Sequence, residues 1–299
     1  MKDYRTWLIE SGKSENTVRS YLKVVSYFES WYESNFNESI EYKNIRPVDL
    51  RDWKQYLFSA QKKNGTPLTV RTINNYIESL KTYFRFLEEE DIIAHNPSIN
   101  LKPQTTRIEY TPRWLGSKEK RSLLRMIEDP ELESRNPWLY SRNRVIVYLS
   151  LHGGLRISEK VNLSVHDLSK GYISIREGKG QVAREIPMNK VLSNAVSLWL
   201  TERNKKNPAT NYFLVSQKGG RLTTSGIYNL FNKLANKTGI DDLTPHTLRH
   251  TFAHDLIEKD TPITYVAALL GHSDLDTTRL YTSAKRDGLK NAVDKLSDE

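Results

Sequence analysis

Six side chains in this 299-residue sequence can grip an anion, carry a proton or attack an electrophilic centre, and they fall in short, separated motifs. Arg156 lies in Gly154-Leu155-Arg156-Ile157-Ser158-Glu159, which reads as a loop-to-helix junction. His246 and Arg249 lie in His246-Thr247-Leu248-Arg249-His250, which opens another helix after Pro245. His272 follows Leu270-Gly271, and Tyr281 comes nine residues later. Lys179 stands between Gly178 and Gly180, at the tip of an expected hairpin. A guanidinium offers two parallel donors and stays charged, which suits it to phosphate or carboxylate. A phenolate is both an attacking and a leaving group, and lysine and imidazole can move protons. Cysteine is absent, so disulfides, thiolate nucleophiles and thiolate metal sites are excluded.

Each of these types has a commoner use. Most arginines sit at the surface or in ion pairs, a lysine between glycines is usually a turn residue, and 16 tyrosines are present. Tyr281 is set apart by its place after His272 and by its polar neighbours Arg279 and Thr282, which argue against complete burial. The glycines around Lys179 resemble a phosphate-binding loop. No Ser or Thr follows the lysine and the upstream glycine spacing is wrong, so no nucleotide site is expected. His246, His250 and His254 recur every four residues and could stack on one helical face as metal ligands. That spacing leaves zinc open, although the Glu of a His-Glu-x-x-His motif is missing.

The elements that must position these groups follow from pattern. Residues 17–31 read as an amphipathic helix with Ser14 as its cap. A second helix starts near Pro47 or Asp49 with Leu50, Trp53 and Leu57 inward, and a third covers about 69–89, with Ile73, Ile77, Leu80, Phe84 and Leu87 on one stripe. Residues 1–102 therefore form a helical domain, 103–115 an aperiodic linker, and 116–299 a second, larger domain. In that domain 145–151 and 191–200 read as buried helices, 172–176 and 184–188 as the arms of a hairpin, and 212–216 as a further strand. Ile227, Leu230, Phe231 and Leu234 define a helix whose other face carries Asn229, Asn232, Lys233 and Lys237, suited to a DNA groove or simply to water.

Net charge is +9, unevenly placed: residues 1–103 hold 15 Lys and Arg against 14 Asp and Glu, leaving 30 of 45 and 22 of 36 beyond them. A basic surface attracts polyanions, and it also simply keeps a chain soluble. No run of apolar residues spans a membrane and no secretion leader is seen, so a cytoplasmic protein with no membrane partner is expected.

Taken together, the motif around Arg156, the Gly178-Lys179-Gly180 hairpin, Tyr212-Phe213-Leu214 leading to Lys218-Gly219-Gly220-Arg221-Leu222-Thr223, and PHTLRHTFAHDLIEKDTPITYVAALLGHSDLDTTRLYT over 245–282 resemble the tyrosine recombinase, or phage-integrase, family. The resemblance runs the length of the chain. It implies a mainly α fold: an N-terminal SAM-like helical bundle, then a mostly helical catalytic domain with a small antiparallel β-sheet, closing as a C-shaped clamp on DNA. It implies cleavage and rejoining through a covalent 3′-phosphotyrosine at Tyr281. Arg156 and Arg249 would clamp the non-bridging oxygens, Lys179 would protonate the leaving oxygen, His246 would contact the phosphate and help accept the tyrosine proton, and His272 would donate to a non-bridging oxygen. Glu159 would orient its neighbours, and His250 and His254 would support their helix.

No cofactor and no metal is implied. The partners would be double-stranded DNA with an inverted-repeat core site, a second protomer on that site (a homodimer), a homotetramer in the synapse and accessory proteins in some systems. Lys160 after Glu159, and His152-Gly153, depart from the commonest pattern without removing a reactive group. With no segment for an additional arm-binding domain expected, a simple recombinase is favoured, resembling chromosome-dimer resolvases or transposon-encoded cointegrate resolvases. A type IB topoisomerase-like strand transferase and a catalytically silent DNA-binding regulator are the rival readings. After Gly288, Leu289, Ala292, Val293 and Leu296 recur at helical spacing, too few for a core of their own, and the resemblance implies docking of this tail on a neighbouring subunit.

Overall fold

A computed structural model describes residues 3–62, 64–105, 112–177 and 181–271. The chain divides into two compact units, Met1–Glu109 and Tyr110–Glu299.

The first unit holds α1 (Tyr4–Glu10), α2 (Glu15–Phe36), α3 (Pro47–Ser59) and α4 (Val70–Glu89). Their starts are chemical: Ser14 accepts from the Thr17 amide and Thr69 from the Thr72 amide, while Pro47 occupies the first turn of α3, where its missing N–H costs nothing. The stripe on α4 is buried as its spacing demands, against Phe28, Leu50 and Trp53. The short helix α1 was not anticipated. It is seven residues long and is held by tertiary contact, Tyr4 packing on Tyr83 and Phe86.

The second unit begins with α5 (Ser117–Ile127), α6 (Pro130–Arg135), α7 (Pro137–Leu151) and α8 (Ile157–Asn162). A three-stranded antiparallel sheet follows, β1 (Leu168–Ser169), β2 (Tyr172–Glu177) and β3 (Gln181–Pro187), then α9 (Lys190–Lys205), α10 (Thr224–Thr238), α11 (Pro245–Ile257) and α12 (Ile263–Leu270). The expected hairpin is β2–β3, in register at Ile173 with Ile186 and Ile175 with Arg184, and shifting beyond Ile175. Such a shift bends the strand locally. The expected strand at 212–216 is a correction: Tyr212 and Val215 make only isolated bridges, to Ser164 and Arg221, and the segment runs as loop. The buried run Phe213, Leu214 and Val215 fills the core without pairing as a strand. On α10 the apolar stripe is buried, and Asn229, Asn232, Lys233 and Lys237 are exposed. Among the described residues no helix is long and apolar enough to cross a membrane.

Candidate functional site

The site grows from a tight turn and two helix starts. Gly154 has φ +62°, and a Cβ there would lie 2.6 Å from the Phe252 ring, so only glycine lets α7 turn back against α11 at this point. Leu155 and Leu248, both wholly buried, anchor the backbone beside the two arginines, each contributing about 2 kcal/mol by burial. Arg156 occupies the N-cap of α8, and its amide donates to the Glu159 carboxylate (2.7 Å), closing a box that fixes the first turn. Thr244 caps α11 and Pro245 sits in its first turn, which places His246 at the exposed start of the helix and Arg249 one turn deeper, 2% exposed.

Three arginines converge on one helix end. Leu269, Leu270 and Gly271 close α12, where carbonyls lack intrahelical partners and the helix dipole is negative. The Leu269 carbonyl accepts from Arg184 Nε (2.9 Å), that of Leu270 from Arg249 Nη2 (2.7 Å) and that of Gly271 from Arg156 Nη2 (2.8 Å). Arg249 also donates to the Gly154 carbonyl (2.5 Å), tying α11 to the turn.

Glu159 stands at the centre. Its carboxylate takes Arg184 in a two-pronged pair (3.0 and 2.9 Å), receives Arg156 Nη1 at 3.0 Å and lies 4.0 Å from Arg249 Nη1. Burial alone would raise its pKa. The Arg184 pair, then the Arg156 amide and guanidinium, outweigh burial and hold it below the usual carboxylate range. Three guanidiniums around one carboxylate make a strongly cationic pocket, with Arg249 as its floor and Arg156, 39% exposed, at its rim.

His246 borders this pocket. Its pKa is depressed, first by partial burial and then by the charges of Arg249, Arg156 and Lys160, so it is neutral at pH 7 and able to accept a proton. The rings of His246 and His250 lie 4.6 Å apart, whereas His254 stacks on Trp114 at 4.3 Å. Among the described residues no group of three His, Asp or Glu could hold a metal ion.

Of the six residues singled out from sequence, Arg156, Arg249 and His246 are brought together here. Lys179, His272 and Tyr281 lie outside the described residues, as does the tail with Leu289, Ala292, Val293 and Leu296.

Sequence reasoning missed Arg184. The available signal was strand periodicity, since Arg184 is two residues before the buried Ile186 and therefore shares its face. It noticed Lys160 without foreseeing its burial. Lys160 is wholly buried, donates to Ser150 Oγ of α7 and lies 5.8 Å from the Phe231 ring of α10. Burial lowers its pKa to about 7, with Glu159 opposing and Arg249 adding to the shift.

A native pKa near 7 against 10.5 unfolded means the unfolded chain binds the extra proton between those values, so stability rises with pH across that window. The cost of charging Lys160 is fully present below pH 7. Lys160→Met should therefore raise stability by about 2 kcal/mol at neutral pH. The gain should narrow as pH rises toward 10. Thermal melts of both proteins at pH 7 and pH 9.5 check this, and a gain that widened with pH would refute it.

Residues 113–287 match the model of the phage integrase family, and residues 1–91 that of the phage integrase N-terminal SAM-like domain. Tyrosine recombinase XerC of Leptospira interrogans is 31% identical over 291 residues, covering 96% of this chain and 89% of the relative. Tyrosine recombinase XerA of Pyrococcus furiosus is 31% identical over 303 residues, covering 99% and 93%. Among solved structures, the Tn1549 transposon integrase in complex with circular intermediate DNA has a TM-score of 0.71 at 22% identity, covering 97% of each chain. XerH bound to its difH substrate has a TM-score of 0.69 at 24% identity, covering 93% of this chain and 78% of that one.

Proposed function

Because the chain belongs to the phage integrase family and is a tyrosine site-specific recombinase, we propose that it cuts and rejoins duplex DNA through a 3′-phosphotyrosine formed by Tyr281, within the pocket of Arg156 and Arg249. The observation that supports this reading most is the convergence of both guanidiniums on Glu159 and the carbonyl end of α12, beside a neutral His246. A phosphodiester attacked at phosphorus gathers charge on its non-bridging oxygens. Preorganised guanidiniums stabilise that charge without having to reorganise at the moment of reaction.

The steps follow from the residue types. Tyr281 oxygen attacks phosphorus while His246 helps take its proton, and the 5′ oxygen departs with a proton from Lys179. His272 adds a donor to a non-bridging oxygen. Rejoining runs the same steps in reverse from an incoming 5′ hydroxyl, so the bond energy is conserved in the phosphotyrosine. Two structural neighbours are described with DNA bound, and their fold supports double-stranded DNA as the partner here. An inverted-repeat core site would take two protomers, and two sites would pair as a homotetramer, exchanging strands through a four-way junction. The tail after Gly288 would dock on the next protomer. The core site can be found by selecting bound and cleaved duplexes from random-sequence DNA.

A nicked duplex carrying that site, which traps the covalent adduct, tests the reading. In excess chelator the adduct should still form, since cations of the protein carry the charge. At subsaturating DNA its rate should rise with pH as His246 loses its proton, with a midpoint below 6.5, and be level by pH 7.5. In His246→Ala that limb should vanish. Loss of cleavage in chelator with recovery on adding zinc, or an unchanged acid limb in the variant, would overturn the assignment.

A further inference from the structure

Arg184 lies on β3, far in sequence from both arginines of the pocket, yet it ties two parts of that pocket together. Its guanidinium presents two prongs to Glu159 at 3.0 and 2.9 Å while Nε donates to the Leu269 carbonyl at 2.9 Å. The same group crowds Gly271: a Cβ on that glycine, whose φ is +63°, would fall 2.6 Å from Arg184 Nη1. One planar side chain therefore fixes the distance between the Glu159 carboxylate and the end of α12. Those are the two supports on which Arg156 rests, through Nη1 and Nη2, and Arg249 rests on the second of them while lying 4.0 Å from the first.

We infer that Arg184 is a positioning residue, which aligns the Arg156 and Arg249 guanidiniums for the scissile phosphate by holding Glu159 against the last turn of α12. The inference rests on the reading of that pair as the phosphate clamp. Only 11% of the Arg184 side chain is exposed, so its effect on the reaction passes through Glu159. Without it, a carboxylate equally buried loses two donors, and the remaining cations are drawn out of place to compensate. Lysine supplies the charge but not the planar fork, so Arg184→Lys separates alignment from charge.

Misalignment of this kind costs rate and spares affinity. In the full-length protein, Arg184→Lys should bind its core duplex within about threefold of the parent and form adduct about 30-fold more slowly. Three nicked duplexes of one sequence tell the routes apart: the natural phosphodiester, a methylphosphonate at the scissile position, and a 5′ bridging thiolate. The methylphosphonate carries no negative charge and has little need of an aligned cation pair. The gap between variant and parent should shrink there to about threefold and persist on the thiolate, whose sulfur departs without a proton.

Glu159→Gln, which keeps the side chain's shape, should show the same pattern, and adding Arg184→Lys to it should cost no more than about a further threefold, because the two act as one unit. A gap equal on all three duplexes would mark a merely structural ion pair and overturn the inference. Closure on the thiolate would overturn it too, showing an action on the leaving group through the hairpin. Arg156→Ala and Arg249→Ala serve as the reference. If their gaps shrink on the methylphosphonate and those of Arg184→Lys and Glu159→Gln do not, this inference fails alone; if theirs do not shrink, the clamp reading itself falls.

Discussion

Tyr281→Phe should bind the core duplex as the parent does and form no covalent adduct, a loss of at least about 10,000-fold in the rate of strand cleavage. The substitution deletes one oxygen, the one proposed to attack, and leaves the ring. Arg156 and Arg249 are held by Glu159 and by the carbonyls of Gly154, Leu270 and Gly271, so the phosphate affinity proposed for them should be retained. Gel-shift titration and a denaturing gel of the nicked duplex separate the two properties. An adduct in the variant would place the nucleophile elsewhere, and equal losses of binding and cleavage would give the tyrosine a structural role.

The second large effect belongs to Arg249, and the structure assigns it two costs that can be measured apart. Arg249 is 2% exposed and donates to the Gly154 and Leu270 carbonyls, so Arg249→Ala deprives buried acceptors of their donors and removes a cation from beside Glu159. That should lower stability by about 3 kcal/mol and slow adduct formation by about 100- to 1,000-fold. Arg156 is 39% exposed, and the amide box that starts α8 survives its truncation. Arg156→Ala should therefore lose a comparable factor in rate and much less in stability. Chemical denaturation alongside the adduct assay checks the contrast. If both variants melt alike, or if Arg249→Ala cleaves within tenfold of the parent, the floor-and-rim arrangement is wrong.

What the sequence makes legible follows local chemistry. The starts of α2, α4 and α11 are written in Ser14, Thr69 and Thr244-Pro245, because a cap is a contact between residues two or three apart. The hairpin is legible for the same reason, its two arms alternating around glycines. Helix α1 is not: seven residues carry too little pattern, and its place is set by Tyr83 and Phe86, far along the chain. The segment at 212–216 misled because a short apolar run satisfies a strand and a buried loop equally.

At the site, Arg156, His246 and Arg249 are readable from motif, but their common support is not. Arg184 reaches Glu159 and Leu269 across 25 and 85 residues, and a lone arginine in a strand ordinarily faces water. Lys160 is hidden by the same expectation, that a lysine after Glu159 on a short helix is solvated. Its burial next to Glu159 and Arg249 puts an amine with a lowered pKa beneath the pocket, in the protein interior.

The most direct test of the account is to isolate the covalent adduct formed by the full-length protein on the nicked duplex in excess chelator, digest it, and locate the attached nucleotide by tandem mass spectrometry. The account predicts a 3′-phosphodeoxynucleotide on Tyr281 and no other modified residue. A nucleotide carried by serine, histidine or another tyrosine, or an adduct that forms only when metal is restored, would contradict it.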